Sequence, residues 1–144
     1  MKAADIMTSP VIILHPATPV PAAAALLVAH GFTAAPVVDQ ERHVLGIATE
    51  ADLIRGRVLP EGWTSGEGVE PVVATVMTPV PLLMRPEDDV ADVVSLMLDS
   101  DVRSVPIVDD GVLVGIVSRR DVLRCVARGE LTGAEVRARR ADIS

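Results

Sequence analysis

The sequence predicts an α/β fold made of two tandem β-α-β-β-α repeats. Three observations lead there: the chain matches itself at an offset of 70 residues, apolar spacing alternates between strand-like and helix-like within each copy, and 49% of the 144 residues are hydrophobic, enough to bury a core.

The self-match starts where Met7 to Val11 fall on Met77 to Pro81, identical in the first two places. His15 and Pro16 then fall on Arg85 and Pro86, and Ala35 to Asp39 on Val105 to Asp109. After one deleted residue, Gly46 to Thr49 fall on Gly115 to Ser118, and Asp52 on Asp121.

Each copy opens with a short apolar strand, Val11 to Leu14 or Val80 to Met84. A helix follows, its start marked by Thr18 with Pro19 in one copy and Asp88 with Asp89 in the other, which supply capping side chains. Proline is tolerated there because a first-turn amide has no partner within the helix. Val20, Ala24, Leu27 and Val28, and likewise Val90, Val94, Met97 and Leu98, keep the spacing that lays one apolar stripe on a core.

Two hairpins come next: Ala35 to Val38 with Val44 to Ala48 across the turn Asp39 to His43, and Val105 to Val108 with Val112 to Val117 across Asp109 to Gly111. A second helix closes each copy, Thr49 to about Val58 and Ser118 to about Arg128, with Gly129 as the stop for the latter. The expected domains are therefore a first repeat over 1–58, a linker over 59–72, a second repeat over 73–129 and a polar tail over 130–144. The linker is rich in Gly, Pro, Glu and Ser and carries Trp63, which reads as partial cover for a core edge before it reads as a partner contact. The tail, with Arg137, Arg139 and Arg140, reads as a solvated face.

A net charge of −7 argues against nucleic acid or an anionic membrane as a partner, since both are drawn in by a basic field. Phe32 and Trp63 are the only aromatics among Phe, Trp and Tyr, too few to stack single-stranded bases. The single cysteine, Cys125, excludes an internal disulfide and reads as a buried structural thiol. The long uncharged run from Ile6 to Val38 is broken by His15, Pro16, Pro19 and Pro21, so no membrane-spanning helix is expected from it, and with a start that lacks a secretory pattern the expected compartment is the cytoplasm.

No Gly-x-x-x-x-Gly-Lys loop, His-Glu-x-x-His helix or recognisable nucleophile and base pair is present, so an enzyme is not expected. His15, His30 and His43 lie at a strand end, a helix end and a turn, and no metal site is expected from them.

The chemistry-bearing motif is doubled: Gly46-Ile47-Ala48-Thr49-Glu50-Ala51-Asp52 and Gly115-Ile116-Val117-Ser118-Arg119-Arg120-Asp121, each crossing from strand to helix. Ser/Thr-x-x-Asp at a helix start is first of all a capping box. The same geometry also suits a nucleotide. Helix-start amides and a hydroxyl can receive phosphate, and a carboxylate one turn on can accept both ribose hydroxyls.

With its paired Met-Thr starts, its apolar-Pro-apolar-apolar-Asp strands (Ala35 to Asp39, Val105 to Asp109) and the doubled Gly-x-x-Ser/Thr-x-x-Asp, the chain resembles the cystathionine-β-synthase (CBS) domain family from Ala4 to about Val126. That resemblance implies two repeats in a pseudo-twofold arrangement, with adenosine-containing ligands held in clefts that draw on both repeats and adenine lying between aliphatic side chains. It assigns to one cleft Asp121 on the ribose, Ser118 near ribose or phosphate, Arg103 toward the phosphate, and Thr8, Ile12 and Ala34 near the base. It assigns to the other Asp52, Thr49 and Thr33, with Thr78, Leu82 and Ser104 opposite. The resemblance further implies a homodimer formed through the second helices.

Charge separates the two sites: Arg103, Arg119 and Arg120 lie near Ser118, whereas Thr33 replaces Arg103 and Glu50 follows Thr49 in the first copy. One good site, at Ser118 and Asp121, is expected. The leading function is thus a regulatory module needing no cofactor, which binds AMP, ADP, ATP or another adenosyl ligand and acts on itself or on a separate effector protein. The alternative is a dimerisation scaffold with empty clefts. DNA binding by the arginine tail and redox sensing by Cys125 have little support.

Overall fold

The computed structural model of the chain describes residues 1–9, 11–57, 70–79, 82–131, 134 and 136–138. Val80, Trp63 with most of the linker, and the tail arginines Arg139 and Arg140 lie outside the described residues. The chain forms two compact units: unit I is Ile12–Pro81, and unit II combines Met1–Val11 with Leu82–Ser144.

In unit I, β1 (Ala34–Val38) and β2 (Val44–Thr49) form an antiparallel hairpin, and β3 (Thr78–Pro79) lies along the other edge of β2. Its helices are α2 (Val20–His30), α3 (Glu50–Arg57) and the single turn α4 (Val73–Val76). Leu14, Val20, Ala23, Leu27, Val37 and Val73 are among its core residues.

Unit II repeats the plan with β4 (Ser104–Asp109) and β5 (Val112–Ser118), helices α5 (Val90–Ser100) and α6 (Arg119–Ala127), and the single turn α1 (Ala3–Ile6). Val93, Met97, Val105, Ile107 and Val117 form one core cluster with Ala3, and Val90, Ala91 and Cys125 form a second with Leu131 and Val136. The α/β expectation is met in both units by helices packed on small antiparallel sheets.

The compact units are shifted relative to the sequence repeats. The Met-Thr segment ahead of the first copy folds in unit II, where Thr8 bridges Ile116 through bonds of 2.8 and 3.1 Å. The Met-Thr segment ahead of the second copy folds in unit I, where Thr78 and Pro79 pair with Ile47 and Gly46.

Three local expectations are corrected. The opening strands shrink to single parallel bridges, Leu14 with Val37 and Met84 with Ile107. Leu14 donates to the Pro36 carbonyl at 2.9 Å and Met84 to the Pro106 carbonyl at 3.2 Å. The next rung would need an amide hydrogen from those same prolines, which have none, so neither ladder can lengthen.

The buried helix stripe is Val20, Ala23 and Leu27 in α2, and Val90, Val93 and Met97 in α5. Val28 and Leu98 instead stand 82% and 65% exposed. Finally, Asp89 caps α5 by accepting from the Ala91 amide at 2.8 Å, but Thr18 does not cap α2. Thr18 accepts from the His15 amide, as Asp88 accepts from Arg85, so both hold the turn ahead of the helix.

Gly46 and Gly115 sit where a Met-Thr segment crosses the second strand of each hairpin. A Cβ on Gly46 would lie 2.6 Å from the Thr78 carbonyl oxygen, and one on Gly115 would lie 2.5 Å from Met7 Sδ. The first obstacle is backbone and the second is a flexible side chain. Gly46→Ala is therefore expected to cost about 1–3 kcal/mol in thermal denaturation and Gly115→Ala less, with Met7→Ala recovering part of the Gly115→Ala loss.

Candidate functional site

α6 starts where β5 ends. Ser118 is its N-cap, in extended conformation, and its hydroxyl accepts from the Asp121 amide at 3.3 Å while the Ser118 amide donates to Asp121 Oδ2 at 2.8 Å. The Ser118 hydroxyl also donates to Oδ2 at 3.0 Å. Thr8 Oγ1 donates to Asp121 Oδ1 at 3.2 Å, and an Arg124 guanidinium nitrogen reaches the same oxygen at 2.8 Å.

Unit I builds the same circuit at the start of α3. The Thr49 amide donates to Asp52 Oδ2 at 3.0 Å, the Asp52 amide to Thr49 Oγ1 at 3.2 Å, and Thr78 Oγ1 to Oδ2 at 3.5 Å. The Arg55 guanidinium bonds Asp52 Oδ1. Both aspartates are 3% exposed. A carboxylate so deeply buried is tolerable only when it is paired and hydrogen-bonded, and both aspartates are.

Each unit thus collects part of the expected set. Unit II brings together Thr8, Ser118 and Asp121; Ser104 is the register partner of Ser118, and the Arg103 carbonyl accepts from the Arg119 amide at 3.0 Å. Unit I brings together Thr49, Asp52 and Thr78; Ala34 is the register partner of Thr49, and the Thr33 carbonyl accepts from the Glu50 amide at 2.9 Å. Half-buried Ile12 belongs to unit I, and exposed Leu82 to unit II.

Two features of the site differ from the sequence reading. The helix-start amides of Glu50, Asp52, Arg119 and Asp121 are already bonded within their own units, so they are not open donors for an anion. The Arg119 side chain lies against Asp101 at 3.2 Å, both exposed. Sequence reasoning also missed Arg55 and Arg124. Each follows its aspartate by three residues, a spacing that places two side chains on one helix face and that was readable in both copies.

Other chemistry lies apart from these circuits. Asp39, Glu41 and His43 on the β1–β2 turn carry donor atoms within 4.8 Å of one another, so His43 is not isolated. The His43 backbone amide, bonded to Asp39, holds that carboxyl below its ordinary range. Burial pushes the Cys125 thiol up, and nearby Glu130 adds to the effect, which suits the inert structural thiol expected. A groove of about 690 Å³ runs along α2 and α3 of unit I, lined by residues including Ala24, Val28, Phe32 and Ile54. Among the described residues, no helix is long and apolar enough to cross a membrane.

The circuits give an order of losses on substitution. Ser118→Ala removes one cap and should cost about 1 kcal/mol in urea denaturation. Asp121→Ala strips the Ser118 amide, Thr8 and Arg124 of a common acceptor and should cost more, about 2–3 kcal/mol, read as a lower midpoint at unchanged m.

Comparison with known proteins gives a consistent result. Residues 3–58 and 73–128 each match the family model of the CBS domain. The chloroplastic CBS domain-containing protein CBSX1 of Arabidopsis thaliana is 29% identical, over 84% of this chain and 61% of its own length, so the chain spans a little under two thirds of that relative. The crystal structure of CBSX2 in complex with AMP matches with a TM-score of 0.78 at 31% identity, covering 90% of this chain and 98% of that one. The CBS domain pair of protein MJ0100 in complex with 5'-methylthioadenosine and S-adenosyl-L-methionine matches with a TM-score of 0.77 at 25% identity and the same coverage. With both of its copies matched, the chain belongs to the CBS-domain family.

Proposed function

We propose that the chain is a non-catalytic regulatory module that binds an adenine nucleotide. The observation that carries this reading is the pair of hydroxyl and carboxylate circuits at the starts of α3 and α6, each closed by a threonine from a Met-Thr segment. A buried carboxylate accepts hydrogen bonds only, and a ribose diol offers two donors. The aliphatic composition suits adenine, and relatives crystallised with AMP, or with 5'-methylthioadenosine and S-adenosyl-L-methionine, support the ligand class.

Ser118 and Asp121 are the favoured site, joined by Thr8. Since the Arg119 and Asp121 amides at the start of α6 are engaged, phosphate falls chiefly to guanidinium groups, and Arg103, Arg119 and Arg120 are near in sequence. Asp52 has Glu50 beside it in place of such a cluster. The residues that the family resemblance adds, Ile12 and Ala34 for one ligand and Leu82 and Ser104 for the other, remain part of this proposal.

AMP at 100 times its dissociation constant adds about 2.7 kcal/mol to stability, a rise in Tm of roughly 5–11 °C for a chain of this size. Asp121→Ala should lower AMP affinity at least tenfold in calorimetry, with Asp52→Ala having the smaller effect. Absence of any shift with AMP, ADP, ATP, S-adenosylmethionine or cyclic dinucleotides would sink the nucleotide reading and leave the scaffold.

A homodimer through the second helices is the accompanying proposal, favoured by one observation: Ile54 on α3 and Leu123 on α6, in matching places of the two copies, are each 65% exposed. Light scattering should give twice the chain mass, and Ile54→Asp with Leu123→Asp should halve it. An unchanged mass in that double variant speaks against this interface.

A further inference from the structure

The state of the two carboxylates carries a consequence for whatever they bind. Asp121 has about four acceptor positions and four donors already fill them. Oδ2 takes the Ser118 amide and hydroxyl at 2.8 and 3.0 Å, while Oδ1 takes Thr8 Oγ1 at 3.2 Å and Arg124 at 2.8 Å. A ligand diol can therefore enter only by exchange.

The four donors differ in how easily they leave. The Ser118 amide is fixed by the backbone, and the Ser118 hydroxyl belongs to the cap of α6. The Thr8 hydroxyl can rotate away, but its backbone is held to Ile116 on both sides. The Arg124 side chain is 57% exposed, so its guanidinium can swing into water and remain solvated. It also holds Oδ1 with a charge-assisted bond, stronger than a neutral hydroxyl would make.

Unit I keeps the arginine with one donor fewer: Asp52 Oδ2 takes the Thr49 amide and Thr78 Oγ1, and Oδ1 takes Arg55, whose side chain is 68% exposed. The intervening residues differ between the copies, Leu53 and Ile54 against Val122 and Leu123, yet the arginine returns at the same spacing.

The geometry points to Arg124, and in unit I Arg55, as an internal competitor that occupies the aspartate in the empty protein and must be displaced by a vicinal diol, so that it lowers affinity for ribose and narrows the preference for ribose over sugars lacking the diol. This rests on the nucleotide reading above, and deepens it: one bound arginine raises the threshold that a sugar diol must cross to reach the carboxylate. A ligand with both hydroxyls can replace the guanidinium, whereas a dideoxy sugar leaves it in place and gains nothing at the carboxylate.

Calorimetry with adenosine and 2',3'-dideoxyadenosine tests this on the full chain, since neither probe has a phosphate for Arg124 to attract. Arg124→Ala should bind adenosine about tenfold more tightly than the native chain, equivalent to 1.4 kcal/mol. Its affinity for the dideoxy compound should not change, and Arg124→Lys should return adenosine binding toward the native value. In thermal unfolding, Arg124→Ala combined with Asp121→Asn should lower Tm no further than Asp121→Asn alone.

Additive losses in Tm overturn the proposal whatever the binding data show, because they would mean that Arg124 does not act through Asp121. Adenosine affinity that is unchanged or weaker in Arg124→Ala, on a native chain that binds adenosine, overturns this inference alone. A native chain and variant that bind neither adenosine nor AMP overturn the nucleotide reading itself, and the exchange falls with it.

Discussion

A carboxylate removed from water has to be satisfied on every side, and that requirement, met twice, organises this chain. Asp52 and Asp121 are each 3% exposed, and each recruits donors from three parts of the sequence: the strand end just before its helix, an arginine one turn along, and a threonine from a segment far away. The Thr8 bond to Asp121 spans 113 residues. Each aspartate therefore fixes a junction, holding hairpin, helix and crossing segment in one register. Because no buried side-chain nitrogen or oxygen among the described residues lacks a partner, the cost of burying these charges is met locally.

Much of this was readable from the chain alone, because the signals are local or repeated. The hairpins follow from apolar runs around polar turns, and the second turn has Asp110 and Gly111 both at positive φ, as a tight two-residue connection demands. The capping boxes were visible in Ser118 to Asp121 and Thr49 to Asp52 before any geometry. What was missed depends on partners distant in sequence. Val28 fits a helical stripe as well as Ala23 does, and only packing in the unit I core selects Ala23, with Ala24 partly buried against it. The opening strands failed because the obstruction, Pro36 or Pro106, sits on the partner strand. The crossing of the Met-Thr segments has no local signature at all, since α1 and α4 are single turns whose placement is set by Gly115, Gly46 and the aspartates.

The two circuits share a design and differ in their electrostatics. Around Asp121 the neighbouring sequence is basic, with Arg103, Arg119 and Arg120, whereas beside Asp52 stands Glu50. Divergence of this kind between duplicated halves leaves the scaffold untouched, because the capping hydroxyl, the carboxylate and its arginine are kept in both. The surrounding charges are free to set which half attracts an anion. Exposed charges of this sort act over about 8 Å at physiological salt, so they bias encounter and orientation more than they add binding strength.

The crossed segments also impose an order on how the molecule is made. Unit I is a continuous stretch from Ile12 to Pro81 and can close as soon as that stretch has left the ribosome. Unit II needs both Met1–Val11 and Leu82 onward, so its first residues are synthesised long before the strand and helix that receive them. During that interval Ala3 and Met7 have no Val117 or Gly115 to cover, and the α1 turn waits with its apolar side unburied. Closing so large a loop is slow in search but costs little more entropy than closing a shorter one. The half that forms last is therefore the half that joins segments made far apart in time.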